Sequence, residues 1–136
     1  MQFVHLGVFT EFSISESIVR IPDLIKATAS DNMPALAITD LSNLHAAVKF
    51  YNKAMSKGIK PIFGSTIRLN DANHKAILLA MTNKGWRGLT EIVSRGFIEG
   101  QQLSIPCIQK DWILEQSQDI IVLLGLHSDV GDMLCS

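Results

Sequence analysis

The sequence predicts an α/β domain with a mainly parallel sheet and flanking helices. Short apolar runs bounded by turn residues alternate with amphipathic runs of helical spacing, and the connections between them are short. No repeat, low-complexity tract or Pro/Gly/Ser linker interrupts the 136 residues, so we expect a single domain over residues 1–136. Hydrophobic residues make up 47% of the chain and charged residues 18%, which is typical of a folded globular protein.

The N-terminal part predicts one strand, a loop and a helix. Residues 2–9 form a short β-prone run, and residues 10–17 are rich in Ser and Glu, which predicts a loop. Pro22 suits the first turn of a helix because the N–H that proline lacks has no helical partner there. Asn32 can end this helix in the left-handed conformation.

The next unit joins a buried strand to an amphipathic helix. Residues 35–38 are apolar and lie between turn residues, as in a buried parallel strand. Residues 44–55 have helical spacing, with Ser42 or Asn43 as the candidate N-cap. Gly58 is expected to end this helix.

The second half of the chain predicts further strands and helices with short connections. An extended stretch with two apolar runs around Gly64 comes first, followed by a strand, a turn and a helix. A short helix capped by Asp111, a strongly apolar strand and the start of another helix complete the chain. In chain order these elements cover residues 59–69, 75–80, 83–85, 89–97, 112–115, 119–124 and 129–134.

Composition and charge exclude several classes of protein. The net charge of −1 gives no basic footprint for a nucleic-acid groove, so DNA is not expected to bind this chain directly. Cys107 and Cys135 form neither a CxxC pair nor a disulfide framework, as in a reducing cytoplasm. The N-terminus lacks the pattern of a signal peptide, and no apolar run is long enough to span a membrane.

Asp40 is the one carboxylate in a position that suggests chemistry. It falls just past strand 35–38, at the edge where open α/β sheets and barrels place their active sites. The alternative is that Asp40 caps the helix that follows. The histidines form no HxH or HExxH motif, and neither GxSxG nor a phosphate-binding glycine loop is present. From these residues alone, the chain is an α/β domain without a recognisable active site.

Several runs of residues resemble those of a known family. These runs are Phe3-Val-His5-Leu, Phe12-Ser13, Met33-Pro-Ala-Leu-Ala-Ile-Thr-Asp40, Asn43-Leu44, Val48-Lys-Phe-Tyr51, Gly58-Ile-Lys-Pro-Ile-Phe-Gly64, Leu78-Leu-Ala80, Gly85-Trp86, Leu89, Asp111-Trp112 and Asp129-Val-Gly131. Through them the chain is similar, over nearly its whole length, to the N-terminal PHP (polymerase and histidinol phosphatase) domain of bacterial replicative DNA polymerase III alpha subunits, closest to the proteobacterial type. The resemblance implies that the chain is the N-terminal portion of a longer, distorted β/α barrel.

The resemblance also implies where metal ligands would lie in a metal-binding member. The His-x-His pair at the end of the first strand corresponds to Gly7 and Phe9, and His5 lies two residues too early to restore it. The Thr-Asp-His motif corresponds to a segment that keeps Asp40 but has Leu41 in place of the histidine. Two of the expected histidine motifs are therefore broken.

Two further ligand positions have also changed. The Gly-x-Glu motif ends here in Thr66, and a fourth histidine corresponds to Lys75. His74 is one position away and would face the other side of a strand. One surviving carboxylate cannot offset the repulsion between several divalent cations. The vestigial metal-site positions are therefore His5, Gly7, Phe9, Asp40, Leu41, Thr66 and Lys75, and no metal, cofactor or catalytic residue is expected.

For such a domain the resemblance implies a scaffold role in a cytoplasmic polymerase. The expected partners are the rest of the alpha subunit, which performs template-directed DNA synthesis with Mg²⁺ outside this chain, and the separate proofreading exonuclease subunit. The alternative is an active metal-dependent phosphoesterase or 3′–5′ exonuclease, which the substitutions at Gly7, Phe9, Leu41 and Thr66 disfavour. A third hypothesis is self-association, because a half-barrel exposes a strand edge and apolar surface.

Overall fold

The computed structural model of this chain describes residues 3–70 and 74–125. Within them, four strands form one sheet in the order β1-β2-β3-β6, and β4 and β5 form a separate hairpin. The helices pack against the larger sheet. The elements are α1 (Ile21–Ser30), β1 (Ala35–Ile38), α2 (Ala47–Ser56), β2 (Lys60–Arg68), β3 (Lys75–Ala80), α3 (Asn83–Ile98), β4 (Gln101–Gln102), β5 (Ile105–Pro106), α4 (Lys110–Glu115) and β6 (Ile120–Leu124).

The α/β class is confirmed, but the expectation of a mainly parallel sheet is wrong. β1 and β2 pair in parallel, whereas the pairs β2–β3 and β3–β6 are antiparallel. The connection between β2 and β3 is too short for a parallel crossover, which needs a dozen or more residues, so these strands form a hairpin. The described sheet is therefore mixed.

The predicted first strand is extended chain rather than a regular strand of the sheet. The N–H of Ala37 donates to the carbonyl of His5 at 2.9 Å, and the N–H of Thr39 donates to that of Val8 at 2.8 Å. The two acceptors are three residues apart and the two donors are two apart, so the regular strand ladder is broken. Residues 3–9 still follow β1 closely, which places Gly7 and Phe9 near the end of the sheet.

Both helices of the first half form, but α2 begins later than predicted. Asn32 has φ 53° beyond the end of α1, and Gly58 has φ 68° beyond the end of α2, as expected. Neither Ser42 nor Asn43 caps α2, because the Ser42 N–H donates to Thr66 in the sheet and the Asn43 amide donates to Phe12 and Leu41. α2 starts at Ala47 without a side-chain cap.

The second half shows four differences from the prediction. Asn83–Gly85 is the first turn of α3, because Thr82 Oγ1 accepts hydrogen bonds from the N–H groups of Lys84 and Gly85. Gln109, not Asp111, precedes α4. Residues 60–68 form one strand, β2, and the β4–β5 hairpin was not predicted. The helix predicted at 129–134 lies outside the described residues.

Two hydrophobic clusters hold the helices on the sheet. One joins α3 and α4 to β2, β3 and β6, and the other joins α1 and α2 to β1. Their largest fully buried members are Ile67, Leu78, Leu89 and Ile92 in the first cluster and Ile21, Leu36 and Phe50 in the second. None of the described helices is long and apolar enough to cross a bilayer.

Candidate functional site

A cavity of about 390 Å³ lies at the end of the sheet, where the metal-site positions were expected. It brings together Gly7, Phe9, Thr66 and Lys75, which come from three separate segments of the chain, namely residues 3–9, β2 and β3. The rest of its wall consists of Thr39, Ile77, Leu123, Leu124 and Gly125. Four of the seven positions that the family resemblance selected are thus neighbours in space, and the described residues that line this cavity include no carboxylate or imidazole.

Asp40 is buried beside this region rather than presented to it. Its exposed fraction is 2%. Oδ1 accepts hydrogen bonds from the Thr10 N–H at 2.7 Å and the Ser13 hydroxyl at 2.6 Å, and Oδ2 accepts one from the Thr10 hydroxyl at 2.7 Å. Both carboxylate oxygens therefore bind donors from the loop that follows residues 3–9.

These contacts belong to a larger polar network between the loop and the sheet, which we call the Asp40 network. The Ser13 hydroxyl also accepts a hydrogen bond from the Leu41 N–H at 3.0 Å. The Asp40 carbonyl accepts from the Ser65 hydroxyl at 2.8 Å and from the Thr66 N–H at 3.1 Å. No described buried side-chain nitrogen or oxygen lacks a hydrogen-bond partner. The network therefore satisfies the polar groups that it buries.

Thr66 and Leu41 are occupied by backbone pairing. They form a parallel bridge that extends the β1–β2 pairing beyond Ile38. The Thr66 hydroxyl donates to the carbonyl of Thr39 at 2.8 Å. Two positions that would hold a glutamate and a histidine in a metal-binding member thus serve the sheet here.

The remaining positions do not supply ligands to the cavity. His5 is exposed and its ring lies edge-on to Phe3, with 4.7 Å between the ring centroids. The Lys75 ammonium lies 3.5 Å from a carboxylate oxygen of Glu16. The backbone carbonyl of His74 accepts from the Leu69 N–H, and His74 does not line the cavity.

Within the described residues, no group of side chains has the composition of a metal centre. Across residues 3–70 and 74–125, no three His, Cys, Asp or Glu side chains are grouped closely enough to hold a metal ion. Hard divalent cations prefer carboxylate oxygens, but the oxygens of Asp40 are already used by neutral donors. Lys75 lines the cavity, but its ammonium has no lone pair for a metal and lies beside the carboxylate of Glu16.

An ion pair connects the same loop to α2. Lys49 Nζ lies 2.6 Å from Glu11 Oε1, and this hydrogen bond, aided by the lysine charge, lowers the pKa of Glu11 below its ordinary value of 4.5. On the other side of the molecule, Glu99 and Glu115 raise the pKa of Arg95. The pair Glu11–Lys49 therefore supports the loop that the Asp40 network holds from inside.

Thr10 and Ser13 are the functional residues that sequence reasoning missed. They lie in a segment whose sequence predicts only a loop, yet they donate three hydrogen bonds to the Asp40 carboxylate. The spacing Thr-x-x-Ser was visible in the sequence. What it could not show is that the loop folds back across β1, over about thirty positions of sequence separation. The proposal that Asp40 caps α2 is wrong for the same reason.

Comparison with known proteins agrees with this geometry. The family model of the PHP domain matches residues 5–135. The DNA polymerase III subunit alpha of Pseudomonas aeruginosa is 45% identical over 140 residues, and that of Vibrio cholerae is 37% identical over 139 residues. In both cases the match covers 98% of this chain and 12% of the relative, so the chain spans about an eighth of their length.

A solved structure supports the same fold. A Bifidobacterium adolescentis protein assigned to the metal-dependent phosphoesterases aligns with a TM-score of 0.50 at 13% identity, covering 70% of this chain and 32% of that one. At this identity the similarity concerns the fold alone. The chain therefore belongs to the PHP domain family, and its relatives within that family are DNA polymerase III alpha subunits.

Proposed function

We propose that this chain is a metal-free, catalytically inactive scaffold domain of a cytoplasmic DNA polymerase III alpha subunit. The whole polymerase would perform template-directed DNA synthesis with catalytic residues outside these 136 residues. The observation that carries the proposal is the environment of Asp40. The one carboxylate retained from the ligand set is buried and hydrogen-bonded through both oxygens to Thr10 and Ser13.

The chemistry of the cavity supports this assignment. A hydrolytic metal centre must activate water and stabilise developing negative charge, and it needs several anionic or imidazole ligands to hold its cations. Phe9 and Thr66 occupy two of those places, and the ammonium of Lys75 occupies a third. A cavity of this composition gives neither ligands nor a general base for phosphoester hydrolysis.

Metal content and hydrolysis measured together test the inactive assignment. The chain is incubated with excess zinc or manganese, desalted and subjected to elemental analysis, and the same sample is assayed on a phosphoester substrate. We expect far less than one metal per chain and no metal-dependent hydrolysis. One tightly bound metal per chain together with hydrolysis that Asp40→Ala abolishes would instead establish the phosphoesterase alternative.

The second part of the proposal is that the domain docks the proofreading exonuclease subunit. The surface we assign to it is the hairpin patch, which comprises the exposed apolar residues Phe97, Ile98, Leu103 and Ile105 around the β4–β5 hairpin. Leu103 is 99% exposed at the tip. Apolar side chains grouped on an exposed hairpin are typical of a protein-binding surface.

The turn of this hairpin supports a binding role. Leu103 has φ 50° and Ser104 has φ 67°, so both central residues are in the left-handed region that Asn and Gly adopt most readily. A leucine in that conformation costs on the order of 1 kcal/mol. Backbone strain that presents a fully exposed leucine is consistent with selection for binding rather than for stability.

A matched pair of substitutions tests the docking surface. Leu103→Asp places a charge at the tip of the hairpin patch, and Ile18→Asp makes the same kind of change at another side chain that is 93% exposed. Binding to the purified exonuclease subunit is followed by titration calorimetry. We expect Leu103→Asp to weaken binding at least about tenfold and Ile18→Asp to leave it unchanged. Equal affinities for the two variants would exclude this surface.

Self-association remains a separate prediction. On the described part of the chain, β6 pairs with β3 along one edge and no strand pairs along its other edge. Its side chains Ile121, Val122 and Leu124 are exposed, and such an edge favours pairing with a second copy. Size-exclusion chromatography over a range of concentrations measures this, and a monomer throughout would contradict it.

A further inference from the structure

A second and larger concave surface lies on the face of the sheet that α2 and α3 flank. It encloses about 690 Å³, and we call it the α2–α3 groove. One wall is α2 with Val48 and Tyr51, the other is the start of α3 with Trp86, and β2 and β3 form the floor with Phe63 and Leu79. The groove contains none of the metal-site positions, so it is independent of the cavity described above.

An aromatic row makes the floor of the groove rigid. The rings of Tyr51 and Phe63 are stacked with their centroids 6.5 Å apart, and Phe63 meets Trp86 edge-on at 5.4 Å. The rims remain open to solvent, since Val48 is 75% and Tyr51 is 48% exposed. Rigid aromatic side chains at the centre of an apolar depression are the usual anchors of protein recognition.

The charged residues on the α2 and β2 side of the groove are all basic. Residues 41–70, which include α2 and β2, contain no Asp or Glu and five basic residues, namely Lys49, Lys53, Lys57, Lys60 and Arg68. Lys60 lines the groove itself. Within the described residues, Lys49 pairs with Glu11, whereas Lys53, Lys57 and Lys60 form no ion pair.

The opposite wall continues this pattern. The first turn of α3 has no acidic residue and carries Lys84, with Arg87 one residue beyond Trp86. Asp119 is the acidic side chain in contact with this wall, and the Thr82 hydroxyl donates a hydrogen bond to it at 3.0 Å. An apolar groove with Lys60 in its lining and Lys84 nearby at the start of α3 is complementary to a ligand with an apolar face and acidic flanks.

We propose that the α2–α3 groove binds an acidic amphipathic helix of another protein. Such a helix lays apolar side chains spaced i, i+3, i+4 and i+7 into a groove of this kind. Its acidic flanks would then lie near Lys60 on one wall and Lys84 on the other. The lining favours a peptide over a nucleic acid, because aliphatic side chains such as Val48, Ile62 and Leu79 alternate with the aromatic ones.

The test uses the 136-residue chain and a labelled helical peptide of about 16 residues, long enough to form a helix on binding. The peptide has Leu at the four spaced positions and Glu on both flanks, and a second peptide has Lys in place of every Glu. Fluorescence anisotropy at physiological salt measures binding. We expect the acidic peptide to bind at least about tenfold more tightly than the basic one.

Variants of the chain locate the site. Tyr51→Ala and Val48→Asp alter exposed groove residues. Each should weaken binding of the acidic peptide at least about tenfold without lowering the unfolding midpoint substantially. The double variant Lys57→Glu, Lys60→Glu should shift the preference towards the basic peptide. Lys26→Glu on α1 reverses one exposed charge away from the groove and should leave binding unchanged.

Three results would overturn the proposal. One is equal or undetectable binding of the two peptides. Another is an oligothymidylate that binds through Tyr51 more tightly than the acidic peptide, which would assign the groove to single-stranded nucleic acid. The third is self-association of the chain that Tyr51→Ala abolishes, which would assign the groove to a second copy.

Discussion

The Asp40 network and the hydrophobic core beneath α3 are both buried, but opposite kinds of interaction hold them together. In the network, one carboxylate accepts three hydrogen bonds from Thr10 and Ser13. In the α3 core, Leu78, Leu89 and Ile92 are fully buried and contribute through contact area alone. The stability of a buried polar network depends on every hydrogen-bond partner being present. In an apolar core, the loss of stability instead grows with the volume of side chain removed.

This comparison supports the proposal that Asp40 has a structural role. Asp40 lies at the carboxyl end of β1, where its oxygens meet the loop that crosses the sheet. Neutral donors satisfy the carboxylate there and also fix the loop. These contacts alone give Asp40 a structural role.

The largest expected effect is that of Asp40→Ala. The substitution leaves the Thr10 N–H and the two hydroxyls of Thr10 and Ser13 without their charged acceptor, and we expect a loss of about 4 kcal/mol in the free energy of unfolding. Urea unfolding in a chelating buffer measures it. A carboxylate kept for metal binding would behave in the opposite way, because its removal from metal-free protein would be neutral or stabilising. Asp31→Ala on the exposed end of α1 is the control.

Leu89→Ala tests the hydrophobic core beneath α3. Leu89 is fully buried in the α3 core, so the loss of its side chain leaves a cavity and should cost about 3 kcal/mol. The same urea experiment measures it. Leu114→Ala on α4 removes the same atoms from an exposed site and should change stability by less than about 0.5 kcal/mol. Equal losses for the two leucines would contradict the assignment of the core.

Two glycines of α3 give a smaller and more local contrast. A Cβ at Gly85 would overlap the carbonyl of Asp119, whereas a Cβ at Gly88 would make ordinary contacts of 3.4 Å with Gln116. We expect Gly85→Ala to cost about 2 kcal/mol. Gly88→Ala should be neutral or stabilise by up to about 1 kcal/mol, since alanine has the higher helix propensity. Thermal unfolding of both variants checks the close packing of α3 on the segment before β6.

The smallest expected effect concerns the ion pair that supports the loop from outside. The pKa of Glu11 is lowered in the folded state by the hydrogen bond with Lys49. A carboxylate whose pKa is lowered by folding stabilises the folded state at pH values above its ordinary pKa of 4.5. This contribution is lost as the pH falls through the lowered pKa of the folded state. Unfolding midpoints from pH 7 to about pH 3 should therefore fall less steeply in Glu11→Gln than in the wild type.

Glu91→Gln is the control for this pH series. The carboxylate of Glu91 accepts from the amide of Gln116 rather than from a cation, at 3.0 Å. Its substitution should leave the steepness of the acid transition as in the wild type. An identical pH profile for wild type and Glu11→Gln would contradict a contribution of the Glu11–Lys49 pair.

Local patterns in the sequence predicted most elements but not their pairing. The boundaries of β3 follow directly from the apolar run at residues 75–80, and the positive φ angles at Asn32 and Gly58 follow from residue type. The direction of pairing failed, because apolar content does not distinguish a short hairpin from a parallel crossover. The start of α3 was missed because Gly85 resembles a turn residue, although its role is close packing.

The candidate site, like the fold, could be predicted from the sequence only in part. The family resemblance selected seven positions, and the structure places four of them, Gly7, Phe9, Thr66 and Lys75, on one cavity but not His5, Asp40 or Leu41. The partners of Asp40 could not be predicted, since Thr10 and Ser13 reach it only through the path of the loop. The Asp40 network and the α2–α3 groove both depend on tertiary contacts that no local pattern encodes.

The effect of zinc on stability tests the central claim most directly. Any ligand that binds the folded state alone raises its stability in proportion to the logarithm of ligand concentration over Kd. Unfolding of the wild type and of Asp40→Ala is measured with a chelator and with excess zinc. We expect zinc to leave both midpoints unchanged, with Asp40→Ala the less stable protein throughout. A wild-type midpoint that rises with zinc, and a rise that Asp40→Ala removes, would show that Asp40 still binds a metal.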